Sequence, residues 1–104
     1  MSRRIRFDLA YDGTDYAGWQ VQRGRITIQS LLEAALKRLN GDRRVSVRGA
    51  GRTDAGVHAR HQVCDFEFDG RASDDELAHA LRHMLPPAIR PLTIRTVGLE
   101  FHAR

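Results

Sequence analysis

The residues best suited to chemistry lie in one glycine-rich segment, residues 49–59, which reads GAGRTDAGVHA. Its three glycines allow the backbone to turn sharply or to approach a ligand closely. Arg52 and Asp54 stand two residues apart between them. A guanidinium at this spacing can keep a carboxylate ionised and oriented, or it can bind a phosphate or stack on a base. The spacing alone also permits a surface turn that carries only an ion pair.

Four strands and two helices are predicted to position this segment. Residues 5–11 and 62–68 alternate between apolar and polar side chains, as a half-buried strand does. Apolar residues recur at helical spacing over 28–39, and again from 74 to the Pro86-Pro87 pair. Two further strands are predicted, one starting at Val45 and leading into Gly49, the other covering 92–97.

Capping residues mark both predicted helices. Thr27 is the predicted N-cap of the first helix, and Gly41 follows its end. Within this helix Glu33 can pair with Lys37 one turn later. Ser73 and Glu76 have the spacing of a capping box at the start of the second helix.

The predicted order is β-α-β-β-α-β, which is typical of an α+β, ferredoxin-like sandwich in which two helices cover one antiparallel sheet. Residues 1–104 fit one domain of ordinary size. In this fold residues 49–59 connect the second and third strands at one end of the sheet. The fold names no function, because unrelated activities use it.

Composition favours a polyanionic partner. The net charge is +4, the sequence pI is about 10.2, and Lys37 is the only lysine among seventeen basic residues. Arginine suits phosphate and base contacts, although an arginine-rich genome would produce the same bias. We see no apolar run of membrane-spanning length and no signal peptide, and the single Cys64 has no partner for an internal disulfide. These features predict a cytoplasmic protein.

The ten residues Ala50–Ala59, reading AGRTDAGVHA, closely resemble the signature around the catalytic aspartate of TruA-family tRNA pseudouridine synthases. Weaker matches follow in the same order along the chain. They are Tyr11–Thr14, Gly18–Gln20, Thr27–Gln29, Gln62–Val63 and Phe101–Arg104. The resemblance therefore spans the whole chain, and the ten-residue signature is its specific part.

The resemblance implies isomerisation of uridine to pseudouridine in the anticodon stem-loop of tRNA, without a cofactor or metal. Asp54 aligns with the essential aspartate, which acts either as a nucleophile or as a base. Arg52 aligns with the residue that fills the space left by the flipped base and then contacts the carboxylate. We further predict RNA contacts by five residues: Trp19, Gln20, Arg23, Arg25 and His58. The alternatives are packing of Trp19 under the end of the sheet, packing of His58 within its loop, and a solvated surface for Arg23 and Arg25.

The same resemblance implies that the chain corresponds to the N-terminal half of a two-domain enzyme that works as a homodimer. The cleft of such enzymes lies between the two domains. We therefore expect the isolated chain, which would lack the C-terminal domain, to fold but to be inactive.

Three other interpretations are weaker. A non-catalytic RNA-recognition motif shares this element order, but its third strand should carry an aromatic, glycine-containing pattern that residues 61–68 lack. A dinucleotide site would need a third glycine and a helix after Gly49–Asp54. A metal site built from His58, His61, Cys64 and Asp65 has the spacing of no structural zinc site.

Overall fold

The computed structural model of the chain describes residues 2–103, so Arg104, the last residue of the predicted family match, lies outside them. The elements are β1 (Arg3–Tyr11), α1 (Ile28–Leu39), β2 (Arg48–Gly49), β3 (Ala59–Phe68), α2 (Asp74–Met84) and β4 (Ile89–Val97). The four strands form one sheet in the order β2-β3-β1-β4, and every neighbouring pair is antiparallel. The predicted ferredoxin-like α+β class is confirmed.

One face of the sheet forms the core. Ile5, Phe7 and Leu9 of β1 are fully buried, and in the register Phe7 lies opposite Cys64 of β3 and Ile94 of β4. The buried helix residues that join this core include Leu32 and Leu36 of α1 and Leu77 and Leu81 of α2. The apolar alternation of the strands is thus matched by the apolar faces of both helices.

The predicted helix starts are confirmed. Thr27 and Ser73 are the N-caps, and each forms a capping box with the residue three positions later. Asn40 is the C-cap of α1, and Gly41 follows it with φ of 64°, a conformation that favours glycine. Neither helix described within residues 2–103 combines the length and apolar composition needed to cross a bilayer.

The predicted second strand is too long. Val45 and Val47 are buried, but ladder pairing begins only at Arg48. The backbone of Val47 is satisfied by α1 instead, because its N–H donates to Glu33 Oε2 at 2.9 Å and its carbonyl accepts from Gln29 Nε2 at 2.7 Å. Glu33 therefore contacts this segment, and no ion pair with Lys37 is present among the described residues.

The third and fourth strands begin earlier in the chain than the predicted residues 62 and 92. β3 begins at Ala59 and β4 at Ile89, because both continue alongside β1 to Tyr11. Pro91 interrupts the pattern of β4 without ending it, since β4 is an edge strand and the register shifts at this point.

The face of the sheet opposite the core, which we call the open face, carries paired charges. Asp65, fully buried, binds Arg48 through two hydrogen bonds of 3.1 and 2.5 Å, and Arg4 lies 3.6 Å away. Residues 98–103 cross this side of the molecule, since the Phe101 carbonyl accepts from Arg48 Nη2 at 3.3 Å.

A second cluster on the open face surrounds Asp8. Its carboxylate accepts two hydrogen bonds from Arg6, at 2.8 and 3.0 Å, and lies 2.7 Å from Nε2 of His61. The hydrogen bonds from Arg6 hold the pKa of Asp8 below its ordinary value, and His61 adds to this effect against the opposing cost of burial.

Candidate active site

Most of the glycine-rich segment, residues 50–58, forms a loop between β2 and β3, which we call the signature loop. A turn shapes its tip, where the Val57 N–H donates to the Asp54 carbonyl at 3.2 Å and Gly56 adopts φ of 79°. The Asp54 side chain is exposed and makes no hydrogen bond or ion pair within residues 2–103. The loop thus presents a carboxylate that has no hydrogen-bond or ion-pair partner among the described residues.

The sheet holds the first part of the signature loop. The Ala50 N–H donates to the Val63 carbonyl at 2.8 Å, which extends the β2–β3 ladder by one bond. The buried side chain of Gln62 donates from Nε2 to the Gly51 carbonyl at 2.7 Å. Gln62 therefore fixes the loop just before Arg52.

The centre of the signature loop rests on residues 12–19, which we call the clamp loop. The Trp19 N–H donates to the Thr53 carbonyl at 3.1 Å, and the Tyr11 hydroxyl lies 2.7 Å from Thr53 Oγ1. Gly18 has φ of 93°, and a Cβ there would lie 2.5 Å from the Thr53 carbonyl oxygen. The backbone immediately before Asp54 is thus held from two sides.

The far side of the signature loop is held in the same way. The Gly56 N–H donates to the Tyr16 carbonyl at 3.1 Å, and the Gly13 N–H donates to His58 Nδ1 at 2.9 Å. A Cβ on Gly13 would lie 1.9 Å from the Val57 carbonyl oxygen, so only glycine permits this approach. Asp54 therefore lies between two fixed backbone segments.

The signature and clamp loops share an aromatic support. Tyr11 and Trp19 stack with ring centroids 6.3 Å apart, and both are buried. Burial raises the pKa of the Tyr11 hydroxyl above its ordinary value, while the hydrogen bond with Thr53 opposes this shift. The hydroxyl is thus neutral when it bonds Thr53.

Trp19 lies inside the core and not on the surface. Its side chain is only 2% exposed and packs against Gly49, where an added Cβ would come within 2.6 Å of the indole Nε1. The predicted RNA contact by Trp19 is therefore replaced by a packing role. The packed alternative is the one that the structure shows, because the indole fills the space beneath the start of the signature loop.

Arg52 and Gln20 are both exposed and line one small cavity of about 220 Å³, whose floor includes Trp19 and Gly49. Within the described part of the chain, Arg52 has no ion pair or hydrogen bond. Its guanidinium is therefore available to a ligand beside Asp54.

The other predicted RNA contacts are exposed but dispersed. Arg25 lines a separate cavity on the outer side of the clamp loop, and Arg23 lies in the same exposed segment before α1. His58 borders a third cavity and lies 3.0 Å from Asp12. The structure therefore does not gather the predicted contacts in one cavity.

Several residues build the site through contacts that the sequence does not reveal. Tyr11 and Thr53 belong to matched motifs, but only the fold shows that their side chains form a hydrogen bond with each other. Gln29, the last residue of the matched stretch Thr27–Gln29, bridges two segments, because its side chain accepts from the Val21 N–H and donates to the Val47 carbonyl.

Two of the four residues of the alternative metal site, Cys64 and Asp65, lie on opposite faces of the sheet. Cys64 lies in the core, where burial raises the pKa of its thiol well above the ordinary value. Asp65 lies on the open face and binds Arg48. Alternation along β3 therefore separates the two side chains.

The sequence of the chain matches known proteins along nearly its full length. Residues 9–104 match the family described as tRNA pseudouridine synthase. The chain is 49% identical to tRNA pseudouridine synthase A 1 of Desulfotalea psychrophila and 46% identical to tRNA pseudouridine synthase A of Brevibacillus brevis. Each alignment covers 98% of the chain, but only 40% and 41% of those two proteins. The chain thus spans about two fifths of the length of the relatives it matches.

Proposed function

The chain belongs to the tRNA pseudouridine synthase family, and from this premise we propose that it supplies the catalytic carboxylate, Asp54, for isomerisation of uridine to pseudouridine in tRNA. The reaction breaks the bond between N1 of uracil and C1′ of ribose and forms a bond from C5 to C1′. The hydrogen on C5 leaves as a proton, and N1 gains one. No external oxidant or reductant is needed.

The observation that carries this proposal is the contrast between the backbone and the side chain of Asp54. The backbone around it is held through Thr53, Gly56 and Val57, whereas the carboxylate is exposed and unoccupied. A structural aspartate in a turn would normally cap its own backbone, as Asp12 does with Thr14. A reactive carboxylate needs a fixed position and a free oxygen, which this arrangement provides.

Arg52 is proposed to act beside Asp54 on the same substrate. A uridine must leave the base stack before a side chain can reach its glycosidic bond. A planar guanidinium can occupy the vacated position and can then contact the carboxylate. The free side chain of Arg52 at the rim of its cavity supports this role.

We propose that Gln20, Arg23, Arg25 and His58 contact the anticodon stem-loop of tRNA. The exposure of their side chains and the basic composition of the chain support the assignment. The non-catalytic RNA-recognition interpretation is not favoured, because the family match is to an enzyme and the third strand carries a buried ion pair at Asp65.

Full activity is proposed to need a second region, corresponding to the remaining length of the relatives, because an exposed loop alone leaves the substrate open to water. We also propose that the active form is a homodimer in the cytoplasm and that no cofactor is required.

The experiment that tests the proposal uses unmodified tRNA carrying tritium at C5 of uridine. Each isomerisation releases tritium to water, so counts in the solvent measure turnover directly. The chain is assayed alone and mixed with the remaining region of a relative, expressed separately. Release that requires the mixture supports the proposal. Absence of release, with both regions folded and tRNA bound, would contradict it.

A further inference from the structure

A second concavity lies beside the signature loop, and the proposed chemistry does not use it. We call it the arginine groove, because Arg60 and Arg90 line it around the small side chain of Ala10. The groove is open to solvent and has a volume of about 850 Å³. Pro87 and His58 also contribute to its lining. It is the largest concave surface among the cavities described above.

The strand register explains why the two arginines converge. β1 lies between β3 and β4, with Tyr11 opposite Ala59 and Ala10 opposite Arg90. Because neighbouring strands are about 4.8 Å apart, the two flanking backbones are about 10 Å apart. The register of both pairs shifts near Leu9, and such bulges redirect side chains at the end of a sheet.

The arginine groove carries more positive than negative charge. Within residues 2–103 the side chains of Arg60 and Arg90 form no ion pair or hydrogen bond. The one carboxylate in the lining, Asp12, accepts hydrogen bonds from Thr14 at 2.6 and 3.0 Å and lies 3.0 Å from His58 Nδ1, so its partners are not the two arginines. Two free guanidinium groups therefore face one opening.

The shape and chemistry of the arginine groove suit a polyanionic strand. Guanidinium groups bind phosphate through paired, charge-assisted hydrogen bonds. Between them, Ala10 and Pro87 offer apolar surface that can contact sugar or base without reading sequence. His58 belongs to the signature loop and also lines the groove, so the groove adjoins the loop that carries Asp54.

We infer that the arginine groove binds the phosphodiester backbone of RNA through Arg60 and Arg90, outside the catalytic position at Asp54. The inference rests on the proposed function for the identity of the RNA, but its chemistry requires only a ribose-phosphate strand. Such contacts position the substrate and carry no sequence information.

The test measures binding of two RNA hairpins to the chain across a range of salt concentrations. One hairpin is an anticodon stem-loop, and the other has the same stem with a scrambled loop. Arg60→Gln/Arg90→Gln is compared with Arg38→Gln/Arg82→Gln, which removes the same charge from exposed helix positions. Arg60→Lys/Arg90→Lys retains the charge, and circular dichroism establishes that each variant is folded.

Loss of two phosphate contacts should lower the slope of log affinity against log salt by about 1.5. We expect this loss, equal for both hairpins, in the groove glutamine variant only, because the lysine variant retains the charge that displaces counterions and so keeps the slope. An unchanged slope, or an equal change in the helix variant, would overturn the inference. Tighter binding of polyglutamate than of RNA, lost in the same variant, would also overturn it, because the groove would then be an acidic-peptide site.

Failure of this inference is distinguishable from failure of the proposed function. Asp54→Asn should bind both hairpins with an unchanged salt slope, since Asp54 makes no contact in the groove. If RNA binds in the groove but the reconstituted protein releases no tritium, the inference stands and the proposed function is wrong. If tritium is released but the salt slope does not depend on Arg60 and Arg90, the proposed function stands and the inference is wrong.

Discussion

At the scale of single residues, the site depends on a hydroxyl pair beneath the proposed catalytic carboxylate. Tyr11 is buried and its hydroxyl bonds Thr53 Oγ1, the side chain immediately before Asp54. Buried hydroxyl groups are costly to leave without a partner. The pair therefore favours one conformation of the loop backbone.

Tyr11→Phe should lower the free energy of unfolding by about 1 kcal/mol, because Thr53 then loses its buried partner. The double-mutant cycle with Thr53→Val should give a coupling energy of about 1 kcal/mol in urea unfolding. Tyr16→Phe is the matched control. Its ring is partly exposed and its hydroxyl has no partner among the described residues, so its effect should stay within about 0.5 kcal/mol. Additive single effects would show that the pair does not act together.

At the scale of elements, the position of the signature loop is set by its contact with the clamp loop. Gly18 lies at the closest approach, with φ of 93° and the Thr53 carbonyl where its Cβ would be. Gly24 has a similar φ of 73°, but nothing lies within 4 Å of a Cβ there. Substitution of Gly24 therefore measures only the free-energy cost of a positive φ, whereas substitution of Gly18 measures that cost together with the cost of the steric contact.

Gly24→Ala should cost about 1 kcal/mol in unfolding free energy, which is the strain of a positive φ. Gly18→Ala should cost at least about 2 kcal/mol, because the backbone of the signature loop must also move. The Gly18 variant should further reduce tritium release in the reconstituted assay, whereas the Gly24 variant should not. Equal losses of stability and activity in both variants would argue against a positional role for the contact.

The sequence predicted the elements that local patterns specify and missed those set by tertiary contacts. Alternation in β1 and the capping residues Thr27 and Ser73 gave the architecture correctly. The start of β2 was wrong because side chains of α1, and not a neighbouring strand, satisfy the backbone of Val47. No local pattern encodes that partner.

The same distinction applies to the site. The signature around Asp54 was visible as a motif, but the sequence left two positions open for Trp19, because an aromatic residue in a loop has the same sequence signal whether it faces the core or the solvent. Arg60 and Arg90 lie thirty residues apart in sequence, and only the strand register brings them to one groove.

At the scale of the whole molecule, ion pairs replace a second apolar layer on the open face of the sheet. Asp65 pairs with Arg48, Asp8 pairs with Arg6 and contacts His61, and the segment around Phe101 crosses the same side. Carboxylates held in this way stabilise the folded state only while they are ionised.

The acid stability of the molecule should depend on Asp8. Its pKa is lowered in the folded state, chiefly by the hydrogen bonds from Arg6, so its contribution is complete above the unfolded pKa of about 3.9. That contribution is lost as pH falls through the lower, folded pKa. Asp8→Asn should therefore be less stable than the parent at pH 7, and the difference should shrink below about pH 4. A gap that stays constant down to pH 2 in urea titrations would contradict this account.

The most direct test of the central claim compares Asp54→Asn with Asp75→Asn in single-turnover tritium release from tRNA, using the chain reconstituted with the second region. Asp75 is an exposed carboxylate on α2, remote from the signature loop in sequence. Replacing Asp54 should abolish release while leaving hairpin affinity and the unfolding free energy close to those of the parent, and replacing Asp75 should preserve the rate. Parent-like release by the Asp54 variant would contradict the assignment of Asp54 as the catalytic carboxylate.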